Sequence, residues 1–239
     1  MRKPPVFAAK KSKLTLMQNT ENAAAGPDRL VEAARYALLR RLAFAMRHHM
    51  VVHLQPIGMI TEVMERRLQA AAPDIEQVHQ SMAKINGFSR AAVQSCLDVV
   101  SWLAPEAGAV VPLGAGVQEC VALLRSSFNF RGYTLKDEVG NVPVPVARAG
   151  LRNALLACLL ALTDRAASPA DVVLSAQTGA DEAVVSVALR PGEGSAGFAG
   201  DAPYRLLEWH EVEALARADG IGLTRVGDTA RLAIPVSRA

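Results

Sequence analysis

A long helical periodicity across residues 28–68 constrains the fold more than any other feature of this sequence. Apolar residues recur there in steps of three, four and seven, at Met46, Met50, Ile57, Ile60 and Met64. This spacing aligns them in one stripe along a helix, as in the seam of a helical bundle. Such a stripe has to be buried against another element, so the helix requires a partner.

Three histidines lie within this pattern, at His48, His49 and His53. At about 100° per residue, His53 falls on the apolar stripe, and His48 lies about 180° from Ile57 and faces outward. His49 lies on a flank. The helix therefore presents one imidazole to solvent and another to its packing partner, and we expect the two rings to have different roles.

Metal binding and hydrolysis both fit this run poorly. His49 and His53 have the spacing of a helical zinc pair, but no acidic residue follows His49, and no downstream Cys or His cluster completes a tetrahedral site. A Gly-x-Ser-x-Gly elbow, which would indicate a hydrolase triad, is also absent. A neutral imidazole is, however, a competent nucleophile toward phosphoryl groups. Judged by position alone, His48 is better explained as an ordinary surface polar residue.

A second helical pattern covers residues 74–103 and follows a short turn at residues 71–74. Its apolar stripe consists of Ile75, Val78, Met82, Ile85, Val93, Leu97 and Val100. Two antiparallel helices cannot bury two such stripes by themselves, whereas two hairpins from two chains form a four-helix bundle. We therefore predict a homodimer. The alternative is that the hairpin packs on the domain that follows it in the same chain.

The pattern changes after a linker at residues 105–108. Helices are predicted at residues 113–130, 145–165 and 206–218, and strands at 133–139, 172–176, 183–189, 222–226 and 230–234. A mixed sheet covered on one face by about three helices is an α/β two-layer sandwich. The predicted class is α+β, with a disordered basic arm (1–27), a dimerisation hairpin (28–104) and the sandwich (110–239).

Composition limits the expected partners of the chain and its expected cellular compartment. The formal charge is +3, but five basic residues lie in the first thirteen positions, and the remainder has 21 Lys and Arg against 23 Asp and Glu. Without a basic body, nucleic-acid binding is not expected. Apolar runs are too short for a membrane span, and no signal-peptide core is present. The three cysteines are predicted to be buried thiols of a cytoplasmic protein.

The histidine run resembles a known phosphoacceptor motif. Arg47-His48-x-Met50-x-x-His53-Leu54-Gln55-x-Ile57 is similar to that of the sporulation-phosphotransferase type of histidine-kinase dimerisation domain. The resemblance implies that His48 carries the phosphoryl group. His49 and Val52 depart from the motif, where an acid and an Asn are usual. Losing the acid counts against autophosphorylation and affects transfer from an aspartyl phosphate less.

The neighbours of His48 take further roles from this resemblance. Arg47 and Arg41 are expected to support the phosphoryl charge, as guanidinium groups do. Arg40, Arg41, Ala45 and His49 are expected to form the surface that contacts a response-regulator receiver domain. The receiver would supply Mg²⁺, and this chain would bind no cofactor of its own.

Residues 110–236 are similar to the ATP-binding domain of histidine kinases, but the nucleotide-binding positions differ. The helix that normally carries two Asn has Ala157 and Ala161, and Arg190 replaces the Asp that binds adenine. The run at residues 203–207, where the second glycine box is expected, contains no glycine. Three such losses predict that the domain binds no ATP and serves as a docking surface.

Together these resemblances imply a dimeric histidine phosphotransferase that moves a phosphoryl group between receiver aspartates. A non-catalytic receiver-binding regulator is the alternative. An ATP-dependent kinase would require a different alignment of the sandwich with the family.

Overall fold

The computed structural model describes the backbone of residues 7–198 and 202–237, and the side chains within those ranges from residue 28 onward. Helix α1 spans Phe7–Leu68 and α2 spans Ile75–Leu103, and the two form a hairpin. Asp74 caps α2, because its side chain accepts a 3.1 Å hydrogen bond from the backbone N–H of Gln77. The hairpin agrees with the predicted pattern.

Helix α1 begins earlier than predicted. Residues 7–27 are helical, where a disordered arm was expected, and residues 1–6 of that arm lie outside the described residues. This stretch is rich in Ala, Lys, Leu, Met, Gln and Glu, all strong helix formers, and that composition favours continuing the helix. Gly26-Pro27 therefore lies within α1 and does not mark its start.

The rest of the chain forms a sandwich in which α3, α4 and α5 cover one face of a five-stranded sheet. The elements are β1 Val110–Pro112, α3 Leu113–Phe130, β2 Tyr133–Asp137, β3 Pro145–Ala147, α4 Arg148–Thr163, β4 Ala170–Thr178, β5 Glu182–Pro191, α5 Trp209–Ala218, β6 Gly222–Val226 and β7 Thr229–Pro235. The sheet order is β2-β4-β5-β7-β6, parallel only between β2 and β4. The predicted α+β class is confirmed, and the antiparallel pair β1–β3 is an element that the sequence pattern did not predict.

Helix α4 is buried over almost its whole length, from Gly150 to Thr163. One side of α4 packs on the sheet, and the other is covered by α1 and α5. An apolar surface on every side is what a helix enclosed in this way requires. The long apolar pattern of α4 is thus explained by burial between two layers.

The hairpin of α1 and α2 has two parts in different environments. In the domain-facing segment, residues 34–46, the inward side chains are at most 7% exposed and join the sandwich core; they are Ala34, Ala37, Leu38, Leu42, Ala45 and Met46. In the free hairpin, residues 51–97, many large apolar side chains are exposed, including Val51, Leu54, Met59, Ile75, Met82 and Leu97. The domain-facing segment follows the intramolecular alternative, and the free hairpin keeps an uncovered apolar stripe.

Candidate functional site

His48 lies on α1, just after the domain-facing segment, and its side chain is exposed. This is the side that the helical phase predicts. Its Nε2 atom is 3.2 Å from the hydroxyl oxygen of Ser126 on α3, and the tautomer decides which group donates. Because the His48 imidazole is exposed and this is a single contact with a flexible hydroxyl, a reactant can reach the ring from solvent.

Basic and aromatic residues are sequence neighbours of His48 on α1 and of its hydrogen-bond partner Ser126 on α3. Arg47 is exposed, and its guanidinium carbon lies 5.4 Å from the centroid of the Phe44 ring. Arg125, next to Ser126 in α3, is exposed as well. Among the described residues neither arginine forms an ion pair. His48 therefore has positive charge beside it that is available to an incoming anion.

His49 and His53 are only half-buried, and their ring centroids lie 6.0 Å apart in an edge-to-face arrangement. His49 lines a pocket of about 270 Å³ between the hairpin and the sandwich, together with Trp102 and Arg152. Its ring therefore points toward the sandwich, which differs from the partner-facing position expected from sequence. His53 follows Met50, whose sulfur meets Cys96 of α2, by one helical turn, but its ring is half-buried and not enclosed in the core as predicted.

The predicted exposure of Arg41 and Ala45 is wrong. Both are 7% exposed, because the face of α1 that carries them packs on the sandwich. Arg41 donates two hydrogen bonds of 2.7 Å to the carboxylate of Asp164, which also accepts from Arg131 at 3.0 Å. Arg41 therefore anchors α1 to the end of α4 and cannot reach a phosphoryl group on His48.

Arg40 remains exposed, and its guanidinium carbon lies 5.3 Å from the centroid of the Tyr204 ring. Tyr204 also meets Tyr36 of α1 edge-to-face, with 6.0 Å between centroids. These contacts fasten the segment between β5 and α5 to the outside of α1. Arg40 therefore holds a neighbouring segment of its own chain, in addition to any contact with a partner.

A second ionic cluster joins α2 to the sandwich, and sequence reasoning did not find it. Arg152, 4% exposed, donates to Glu119 at 2.8 Å and to the Ser101 hydroxyl at 3.0 Å, and its guanidinium carbon lies 4.0 Å from the Trp102 ring centroid. Arg148 donates to the same carboxylate at 2.7 Å. The spacing of four residues between the two arginines predicts that they share one face of α4. It does not identify their acidic partner on α3.

The positions that align with nucleotide-binding residues in the resemblance lie in different surroundings. Ala157 and Ala161 are 0% and 3% exposed within the core. Arg190 is exposed and pairs across the sheet with Asp171. The run that follows it lines a separate pocket of about 190 Å³, whose lining contains no residue of α4. In the 203–207 run, Leu207 is buried in the core.

The cysteines divide into two environments. Burial raises the pKa of the Cys158 thiol to about 12 and raises that of Cys120 still further. Both are thiols of the core at neutral pH, as predicted. Cys96 differs from the prediction, because it is exposed on α2, with its sulfur 3.9 Å from that of Met50.

Within the described part of the chain, no group of three or more His, Cys, Asp or Glu side chains could hold a metal ion. The same part of the chain has no helix that is both long enough and apolar enough to cross a lipid bilayer.

Comparison with known proteins finds similarity only among solved structures. No protein-family model matches the chain, and no curated protein matches it. Similar structures include the catalytic domain of histidine kinase ThkA, with a TM-score of 0.41 and 11% identity over 54% of this chain and 93% of that one. A bacterial phosphotransferase gives 0.39 and 16% identity over 82% and 95% of the two chains. ThkA in complex with the response regulator protein TrrA gives 0.42 and 12% over 85% and 63%. This likeness assigns no role to any residue.

Proposed function

We propose that this protein is a dimeric histidine phosphotransferase of two-component signalling. His48 would accept a phosphoryl group from the aspartyl phosphate of one receiver domain and pass it to the aspartate of another. The observation that carries the proposal is the exposed imidazole of His48, on a long helix and within a sequence that resembles a phosphoacceptor motif.

The chemistry requires little from the chain besides position and charge. A lone pair on a ring nitrogen of neutral His48 forms the N–P bond, while the bond between phosphorus and the aspartate oxygen breaks and the carboxylate leaves. The second transfer runs the same exchange in reverse onto another carboxylate. Arg47 is the exposed guanidinium beside this ring, and it suits the role of offsetting phosphoryl charge. Mg²⁺ would come with the receiver.

Residues of the sandwich favour a phosphotransfer function that does not use ATP. Buried alanines stand at the two positions that serve metal and nucleotide in the kinases that the sequence resembles, and Arg190 is exposed on β5. We expect no binding of ATP in the presence of Mg²⁺, measured by isothermal titration calorimetry on the full chain. Saturable binding would instead support an ATP-dependent kinase.

The free hairpin supports a homodimer. Met59, Ile75 and Leu97 are 61%, 60% and 57% exposed, although each belongs to a long amphipathic helix. An exposed aliphatic surface of this length favours self-association, and two such hairpins suit a four-helix bundle. In that arrangement His48 lies beyond the hairpin stripe and stays accessible.

The test is transfer of labelled phosphate from a purified receiver domain phosphorylated with acetyl phosphate in Mg²⁺. We expect acid-labile label on the wild-type chain and none on His48→Ala. His79→Ala is the matched control, because His79 is also an exposed histidine of the hairpin. His53→Ala is expected to keep the label and to lower thermal stability, since His53 is half-buried one turn after Met50, which contacts α2.

A non-catalytic receiver-binding regulator is the second candidate. The hydroxyl of Ser126 meets Nε2 of His48, and the motif departs from the family pattern at His49 and Val52. In that case the chain would bind receivers and acquire no label from any of them. Label that persists in His48→Ala would contradict both candidates.

A further inference from the structure

We infer that the receiver domain docks on a phenylalanine face beside His48, formed by Phe44 of α1, Phe130 of α3 and Phe198 of the segment after β5. This inference rests on the proposed function, because it takes the receiver as the partner. It replaces the surface expected from sequence, of which Arg41 and Ala45 are buried.

The direction of the helices places Phe44 and Phe130 at the same end of one groove. Arg41 meets Arg131 through Asp164, and seven residues later His48 meets Ser126, so α1 and α3 run antiparallel. Phe44 is one turn before His48 and on the same side of α1. Phe130 is one turn after Ser126 and on the same side of α3. Residues four apart on a helix are surface neighbours.

Phe198 is held beside Phe130 by the backbone. The N–H of Phe198 donates a 3.0 Å hydrogen bond to the carbonyl of Phe130, and the two ring centroids lie 5.7 Å apart. The preceding residue, Gly197, approaches the α3–β2 turn so closely that an added Cβ would collide with the backbone of Arg131 and Gly132. The aromatic pair is therefore positioned before any partner arrives.

The chain has few aromatic residues, and three of its phenylalanine side chains are largely exposed to solvent. Phe130 and Phe198 are each 66% exposed and Phe44 is 52% exposed, whereas Phe128, two residues from Phe130, is fully buried. Aromatic side chains held rigidly at a surface are common anchors of protein interfaces. Placed around a phosphoacceptor, such rings suit the surface of the protein that exchanges the phosphoryl group.

Charge identifies the occupant as a receiver in preference to a second copy of this chain. Arg47 is exposed and lies over the Phe44 ring, Arg125 is exposed next to Ser126, and neither has an acidic partner among the described side chains. The phosphorylation pocket of a receiver is built from carboxylates around the phosphoaspartate, so it complements this charge. The free hairpin presents mainly aliphatic side chains, which suit self-association. The two surfaces thus fit different partners.

The experiment is a titration of the full-length chain with receiver domains from the same organism, each held in its phosphorylated form as the beryllofluoride–Mg²⁺ complex. We expect Phe130→Ser/Phe198→Ser to raise the Kd about tenfold or more. Val226→Ser is the matched control, because Val226 is 83% exposed at the end of β6, and its Kd should equal that of the wild type. Phe44→Ser gives an independent variant on another element.

Two readouts separate this inference from the proposed function. Labelling of His48 by phosphoramidate, a small donor, should be unchanged in the double variant, because the imidazole is untouched. Wild-type label from a receiver together with an unchanged Kd in both the double variant and Phe44→Ser would overturn the phenylalanine face and leave the function standing. Receiver binding that depends on the face but yields no label would overturn the function and support the face. Binding by no receiver would overturn both.

Discussion

Helix α1 runs through both the domain-facing segment and the free hairpin, but the apolar side chains of the two parts differ in burial. In the first, the aliphatic side chains are enclosed by α3, α4 and α5, and Arg41 is fixed by two hydrogen bonds to Asp164. In the second, aliphatic side chains of similar size are open to solvent. Amphipathic periodicity therefore predicts that a face will be covered, and does not say whether its own chain or another copy covers it.

Removing the ionic anchor of the domain-facing segment should have the largest effect on stability. Asp164→Asn leaves Arg41 and Arg131 facing each other without a carboxylate, and the Arg41 side chain is only 4% exposed. We expect the free energy of unfolding to fall by about 3–5 kcal/mol in urea titrations. Arg41→Met should cost less, because Asp164 keeps Arg131. Equal losses in the two variants would contradict this account.

Truncating one leucine in each stretch compares their packing directly. Leu42 is 1% exposed and Leu54 is 50% exposed on the same helix. Leu42→Ala should lower the free energy of unfolding by about 2–5 kcal/mol, because it leaves a cavity. Measured at a protein concentration low enough for the monomer to predominate, Leu54→Ala should stay within about 0.5 kcal/mol of the wild type, because it leaves no cavity in the single chain. Similar values for the two would mean that α1 does not pack on the sandwich as described.

A charge on the stripe of the free hairpin tests whether another copy covers it. Leu97→Glu places a carboxylate on an apolar surface that the proposed bundle buries, and this should convert a dimer into a monomer. Light scattering after gel filtration should then give a mass near 25.4 kDa, against about twice that value for the wild type. Val226→Glu, on the sandwich, is the control and should stay dimeric. A wild-type monomer would refute the proposed dimer.

The smallest expected effect concerns α5, on which the domain-facing segment rests. The Arg205 side chain, by hydrogen bonding, holds the pKa of Glu211 below its ordinary value, and Glu211 also accepts from the backbone N–H of Glu208 at 2.9 Å. A lowered pKa stabilises the fold above the unfolded value, about 4.3, and this contribution is lost as pH falls through the folded pKa.

Glu211→Gln should therefore cost about 1 kcal/mol at pH 7. The difference from the wild type should shrink in denaturant titrations as the pH is lowered below about 4. A difference that is constant across this range would exclude the carboxylate as its cause.

The sequence predicted local structure well and long-range contacts poorly. Helix α3 and the β6–β7 hairpin were predicted closely, because helical periodicity and the Gly227-Asp228 turn are local signals. The exposure of His48 followed from helical phase. Arg41 was predicted to be exposed and is buried, because its partner Asp164 is 123 positions away and no local pattern links the two residues. Phe130 and Phe198 were missed for the same reason.

The continuity of α1 has a consequence for how partners approach. From Arg41 to His48 the helix is unbroken, so the direction of the imidazole is set by rotation about the axis, at about 100° for each residue. Because the domain-facing segment of α1 is packed on the sandwich, the direction of the His48 ring is fixed relative to the sandwich. Inserting a single residue between positions 46 and 47 would turn the ring by roughly a quarter of a turn, and the proposed receiver would then meet it at the wrong angle.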